Sequence, residues 1–236
     1  MPRPERAIRT QALILRRRDL GEADRVLTIL TPNHGKRDVI ARGARKPAST
    51  KTGHVELFTR ADMLIHQGRD FGIAVQVEMV APYLELREDL QRGAYASYAV
   101  ELLDRFTAEG DDDYGPLFTL LDDTFTRLCV DPDPRLAVRY YEMRLLEVVG
   151  FRPELNQCVI SGEPIHAMRS TSIVAVGMTT LKLLRHMQRS PYEQVRSLKI
   201  APALHEDVER VLLGYITFLL ERRLQSVDFI RRVRQP

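Results

Sequence analysis

The apolar positions of the chain fall into two regimes. Between residues 8 and 83 they come in short runs separated by turn residues: AIRTQALILRRR, ADRVLTILTP, KRDVIARG, HVELFTRADMLIHQG and FGIAVQVEMVAPY. Val55, Leu57, Ile65, Phe71, Ile73, Val75, Val77 and Met79 include the period-two alternation of half-buried strands. Pro32-Asn33-His34-Gly35 separates the second run from the third. Five strands in a stretch of about 80 residues predict a small barrel, because an open sheet that short leaves edges and one face uncovered. The oligonucleotide/oligosaccharide-binding (OB) barrel is the leading candidate, and an SH3-like barrel of similar size is the alternative.

After Pro82 the period lengthens. Leu90, Ala94, Tyr98, Leu102 and Phe106 recur at the spacing by which a helix buries one face, until the acidic patch Glu109 to Asp113, with Gly110, ends the pattern. PLFTLLDDTFTRLC and PRLAVRYYEMRLLEVVG predict two more helices, with Pro116 and Pro134 in their first turns and Gly150 as a C-terminal cap. From 151 to 177 no helical period is sustained, and SIVAV reads as one strand. Helices resume at TTLKLLRHMQR and LHEDVERVLLGYITFLLERRL. The expected fold class is α+β: a small OB-type β-barrel over residues 1–83, then an all-helical bundle over 84–236 with an irregular insertion at 151–177.

Charge sharpens this division. The net charge is only +3, but residues 1–80 carry 15 Lys/Arg against 9 Asp/Glu, whereas residues 81–236 carry 20 against 23. The basic character therefore belongs to the first module. It concentrates in residues 35–53, GKRDVIARGARKPASTKTG, where Lys36, Arg37, Arg42, Arg45, Lys46 and Lys51 face the single acid Asp38. A Walker loop needs glycines immediately before Lys and Ser/Thr at a helix start, and this order is absent. A solvated charged hairpin and a polyanion-binding loop both fit, and several phosphates at once rationalise the charge density best. Arg16, Arg17, Arg18 and Arg25 broaden the basic face, with Arg17 pointing opposite its neighbours. Phe58 and Phe71 are candidate stacking platforms on adjacent strands, although such residues are more often core than platform.

Other chemistry is thin. Asp111, Asp112 and Asp113 read as a solvated interhelical loop, and GEADR as a turn with a salt bridge. The six histidines form no HExxH spacing, and Cys158, Ser161 and His166 fall short of a four-ligand soft-metal site. Two cysteines, no secretory signal and no run of 18 apolar residues lead to the expectation of a soluble cytoplasmic protein.

Three stretches together, LGEADRVLTILTPNHGKRDVIARGARKP, RYYEMRLLEVVGFRPELNQC and ERRLQSVDF, resemble the bacterial RecO family of recombination mediators over nearly the whole chain. The resemblance implies an OB barrel, a helical C-terminal region and no catalytic turnover or cofactor. It implies binding of single- and double-stranded DNA, annealing of complementary strands, contact with single-stranded-DNA-binding protein, and action with RecR in loading RecA, in the cytoplasm and at the nucleoid during repair. By that likeness Lys36, Arg37, Arg42, Arg45, Lys46 and Lys51 contact backbone phosphates, with Arg16 and Arg18 extending the surface, and the region of Arg135, Arg139 and Tyr140 helps form a partner surface. Many relatives carry a four-cysteine zinc module beginning near Cys158. This chain has CVISGEPI there and no later cysteine pair, so that metal function is not carried over. A scaffold module whose basic loop binds acidic protein partners is the competing reading.

Overall fold

The computed structural model describes residues 7–47, 49, 51–68, 71–107, 114–157, 176–222 and 224–234. Five strands come first: β1 (Ala7–Leu20), β2 (Asp24–Leu30), β3 (Lys36–Ala41), β4 (Arg60–His66) and β5 (Gly72–Ala81). They close in the order β1-β2-β3-β5-β4, with β4 returning to β1. Every pairing is antiparallel except β3 with β5, which is parallel at Val39–Gly72 and Ile40–Ile73. That order and closure are those of an OB barrel, and full closure removes the edges that so short a sheet would otherwise expose. Between β3 and β4 the described residues include turns and one 3-10 helix, Thr52–His54.

β1 is the wall shared by two cores. Ile8, Ala12 and Ile14 point into the barrel with Leu27, Ile29, Val39, Ala61, Met63 and Ile65. Leu13 and Leu15 point the other way, joining Leu30 and Phe58 in the core of the helical region. The register of β1 on β2 slips between Ile14 and Arg16, so Leu15 is an extra, bulged residue. The bulge resets the alternation. Arg16 and Arg18 lie opposite Thr28 and Val26, and Arg17 lies opposite Leu27, whose side chain is in the barrel core.

The helices are α1 (Glu85–Glu88), α2 (Leu90–Phe106), α3 (Gly115–Val130), α4 (Pro134–Val148), α5 (Met178–Arg189), α6 (Tyr192–Arg196), α7 (Pro202–Leu220) and α8 (Gln225–Arg234). Local chemistry sets their ends. The Asp89 carboxylate accepts from the amides of Gln91 and Arg92 at the start of α2. Pro116 and Pro134 occupy the first turns of α3 and α4, as expected. Gly150, at φ 82°, closes α4: its amide donates to Glu147 O at 3.2 Å and that of Phe151 to Leu146 O at 2.7 Å, the paired bonds of a Schellman cap. Glu109–Asp113 and most of the expected irregular insertion and its SIVAV strand lie outside the described residues.

Phe125 on α3 receives the barrel. The rings of Phe58 and Tyr83 meet it edge-on at 5.4 and 5.7 Å, and both residues hold left-handed backbone (φ 65° and 44°) to do so. Asp122 on the same helix accepts from Arg60 at 2.5 Å and from the Tyr83 hydroxyl at 2.6 Å. Burial, with the Asp122 carboxylate beside it, pushes the Tyr83 hydroxyl up to about 12. Phe58 is thus core and not a stacking platform.

Inside the bundle the Tyr98 hydroxyl donates to Glu142 Oε1 at 2.5 Å, and Arg139 pairs with the same oxygen at 3.1 Å. Burial pushes the Glu142 carboxyl up, to about 7, against the pull of Arg139 and the Tyr98 hydrogen bond. This pair corrects the expectation that Arg139 belongs to a partner surface. Arg139 is 3% exposed and faces inward, because 100° per residue turns it away from the outer face of α4. Arg139→Met, which strands a buried carboxylate, is expected to lower unfolding free energy by about 3–5 kcal/mol in urea titration, and Arg139→Met/Glu142→Leu to recover most of that loss. A Cβ added at Gly93 would sit 2.6 Å from the Leu86 carbonyl oxygen, where α1 crosses α2. Gly93→Ala, which in an open helix adds about 1 kcal/mol, is therefore expected to lower the melting temperature instead.

Candidate nucleic-acid interface

The described residues of the loop after β3 are held to the barrel by hydrogen bonds. Gly43, at φ 68°, takes a conformation that suits glycine, and its amide donates to the Asp24 carboxylate at 2.7 Å. The Arg45 amide donates to Ala23 O at 2.9 Å, and Ala44 is buried in the barrel core. Farther on, the Thr52 hydroxyl donates to Ala44 O, the Lys51 ammonium to Ala74 O at 2.8 Å, and His54 Nδ1 lies 3.0 Å from Val77 O. The loop is therefore strapped to the β1–β2 turn on one side and to β5 on the other.

The expected phosphate-binding residues divide by how they are engaged. Arg42 and Lys46 are exposed, and neither side chain has a hydrogen-bond or ion-pair partner among the described residues. Arg45 is exposed but donates to Gly21 O at 2.9 Å and lies 3.5 Å from Asp19. Arg37 folds back to donate twice to His34 O, at 3.0 and 2.7 Å. Lys51 is partly buried, and desolvation lowers its pKa although the Asp24 charge opposes this. It serves as a strut of the loop.

On the outer face of β1, β2 and β3, cations are met by acids. Arg16 and Lys36 both bind Asp104 of α2, Lys36 at 2.6 Å. Arg18 lies 3.4 Å from Asp38, whose other oxygen accepts from Thr28 at 2.6 Å. Arg17, on the opposite face, pairs with Glu56, which also holds Arg25 at 2.9 Å, so those two arginines close one mouth of the barrel. The alternation that sets Arg17 apart from Arg16 and Arg18 is thus present.

A groove of about 610 Å³ runs along this outer face, lined by Arg16, Lys36 and Arg37, by Asp38 and Asp104, and by Phe71 from the β4–β5 loop. Phe71 is 37% exposed and offers the groove an aromatic edge. Asp104 was not visible as a site residue in the sequence. It stands 68 positions from Lys36, and nothing local marks it as a counterion.

A second groove, about 540 Å³, lies on α3 and α4 between Pro116, Leu120, Arg127, Tyr140, Arg144 and Val148. The Arg127 guanidinium stacks 5.3 Å from the Tyr140 ring and 4.5 Å from that of Tyr192, and Arg144 Nε donates to the Tyr140 hydroxyl at 3.0 Å. Tyr140 thus borders a groove, and Arg135, paired with Asp133 at 3.3 Å, stands apart from it. Arg144 was missed although it falls one turn after Tyr140, on the same face. Cys158, Ser161 and His166 lie outside the described residues. Among the described residues no three His, Cys, Asp or Glu side chains gather as a metal site, and no helix is long and apolar enough to cross a membrane.

Two family models match the chain. The one described as Recombination protein O N terminal covers residues 6–83, and Recombination protein O C terminal covers residues 87–228. A DNA repair protein RecO of Roseiflexus sp. is 37% identical over 98% of this chain and 87% of its own length. Proteins of the same name from Pelotomaculum thermopropionicum and Desulforamulus reducens are 31% and 30% identical, over 96% and 94% of this chain and 94% and 93% of their own lengths. An OB barrel packed on a helical bundle, with one model matching residues 6–83, the other residues 87–228 and these relatives aligned over 94% or more of the chain, places the chain in the RecO family.

Proposed function

We propose that the protein is a non-catalytic mediator of DNA repair that binds single- and double-stranded DNA through the barrel and anneals complementary strands. Relatives named DNA repair proteins support the repair role. The observation that carries the binding reading is the strapped loop after β3, which leaves Arg42 and Lys46 exposed and without a partner among the described residues, on a barrel whose outer-face groove holds further cations. A fixed basic rim neutralises phosphates and releases counterions without reading sequence, and base edges stay free to pair. Two strands so neutralised repel one another less, which is what annealing requires. Arg16, Arg18, Arg37, Arg45, Lys36 and Lys51 carry further positive charge on the barrel, each already engaged by an acceptor of the protein itself.

The groove on α3 and α4 suits the tail of a single-stranded-DNA-binding protein, given an acidic tail with an apolar end. Arg127 and Arg144 would meet the carboxylates, and Leu120, Pro116 and Val148 the apolar residues. RecR, and through it RecA loading, completes the mediator reading by the family likeness.

In fluorescence anisotropy with a labelled oligo(dT), Arg42→Glu/Lys46→Glu is expected to weaken binding roughly tenfold or more at about 0.1 M salt and to flatten the log–log salt slope by about 1.4, the share of two phosphates on a single strand. Unchanged binding by the folded variant contradicts the reading. An acidic peptide competing for the oligonucleotide instead favours the scaffold alternative. Arg127→Glu is expected to abolish binding of an acidic, apolar-ended peptide and to leave the oligo(dT) isotherm in place.

A further inference from the structure

Asp104 occupies an odd position for an acid. It lies in the last turn of α2, where the helix dipole disfavours negative charge, and its carboxylate lines both the outer-face groove and the cleft between barrel, α2 and α8. Its two oxygens are used separately. Oδ1 takes the Lys36 ammonium at 2.6 Å and Oδ2 takes the Arg16 guanidinium. These cations come from β3 and β1, the strands on either side of β2, so one carboxylate sits over the middle of the face that a backbone would cross. Among the described residues Lys36 makes no other side-chain bond, and its side chain is only 10% exposed where it meets Asp104.

We propose that Asp104 acts as a built-in phosphate mimic, holding Arg16 and Lys36 away from bound DNA and so setting the affinity and salt dependence of the barrel. This rests on the DNA-binding reading above. A carboxylate that takes an ammonium on one oxygen and a guanidinium on the other occupies their donors as the two non-bridging oxygens of a phosphodiester do. Burial raises the carboxyl and the bonds to Lys36 and Arg16 more than offset it, so its pKa falls below the usual carboxylate value and the mimic stays charged at neutral pH. Arg42 and Lys46 then supply the first contacts, and the two central cations engage a strand only if Asp104 is displaced. Moderate affinity is useful to a protein that must let go of the strands it has paired.

The test is a double-mutant cycle in Asp104 and Lys36, read by oligo(dT) anisotropy across a salt series, with thermal melts to verify folding. Asp104→Asn keeps the size and one acceptor and removes the charge. It is expected to tighten binding about tenfold and to steepen the salt slope by about 1.4, as two phosphate contacts are gained. Lys36→Ala is expected to cost little in the parent protein and to cancel much of the gain in the Asp104→Asn background. Asp104→Ala provides the same comparison if the asparagine variant misfolds. Parent protein that binds, with an unchanged isotherm and slope in both folded Asp104 variants, overturns the mimic and leaves the DNA reading standing. Absence of binding in both parent and variants overturns both.

Discussion

One strand does two jobs, and the rest of the molecule follows from it. Ile8, Ala12 and Ile14 of β1 fill the barrel, while Leu13 and Leu15, with Leu30 and Phe58, enter the helical core. Burying each of those outward side chains contributes about 1.5–3 kcal/mol, an upper estimate that is still large beside the total stability of a domain. The barrel is therefore fixed on the helices through one side of β1, and Phe125 with its two edge-on rings reinforces the seat. A ligand is left the outer face of β2 and β3, the hairpin extension of β1 and the loop after β3. The bulge at Leu15 matters here because it lets one strand bury Leu15 against the helices and still present Arg16 and Arg18 on the free face.

Electrostatics then grade that face. Ion pairs of exposed cations contribute little to stability, so the acids beside Arg16 and Arg18 matter chiefly for what they withhold from a ligand. Within residues 35–53, the described cations without a partner are Arg42 and Lys46. Within the helices the same residue types have other work. Arg234 donates to Glu209 at 2.7 Å and to the Tyr95 hydroxyl, tying α8 to the bundle. Glu101 secures the other end of that helix by accepting from the amides of Gln225 and Ser226.

The fold was largely legible because its signals are local. Alternation marked the strands, Pro116, Pro134 and Gly150 marked helix ends, and the switch in period at Pro82 marked the passage from sheet to helix. The site was legible only in part. Charge density drew attention to residues 35–53, yet which of its cations are free depends on Asp104, Asp19, Ala74 and Gly21, remote partners that no single-sequence pattern reveals. Arg139 looked like a surface arginine because arginine is seldom buried; a glutamate three residues on, at the same helical face, is what admits it. The β1 bulge was equally hidden, since an extra residue in a run of apolar and basic side chains leaves no mark in the alternation.

The central claim is that a rigidly seated barrel uses its free β2–β3 face and the loop after β3 to hold a DNA backbone. Hydrogen–deuterium exchange with and without oligo(dT) addresses it most directly. The account predicts slowed exchange in residues 36–47 and in the β1–β2 hairpin, with α3 and α4 unchanged. Protection confined to the helices, with the barrel loop exchanging as before, would contradict it.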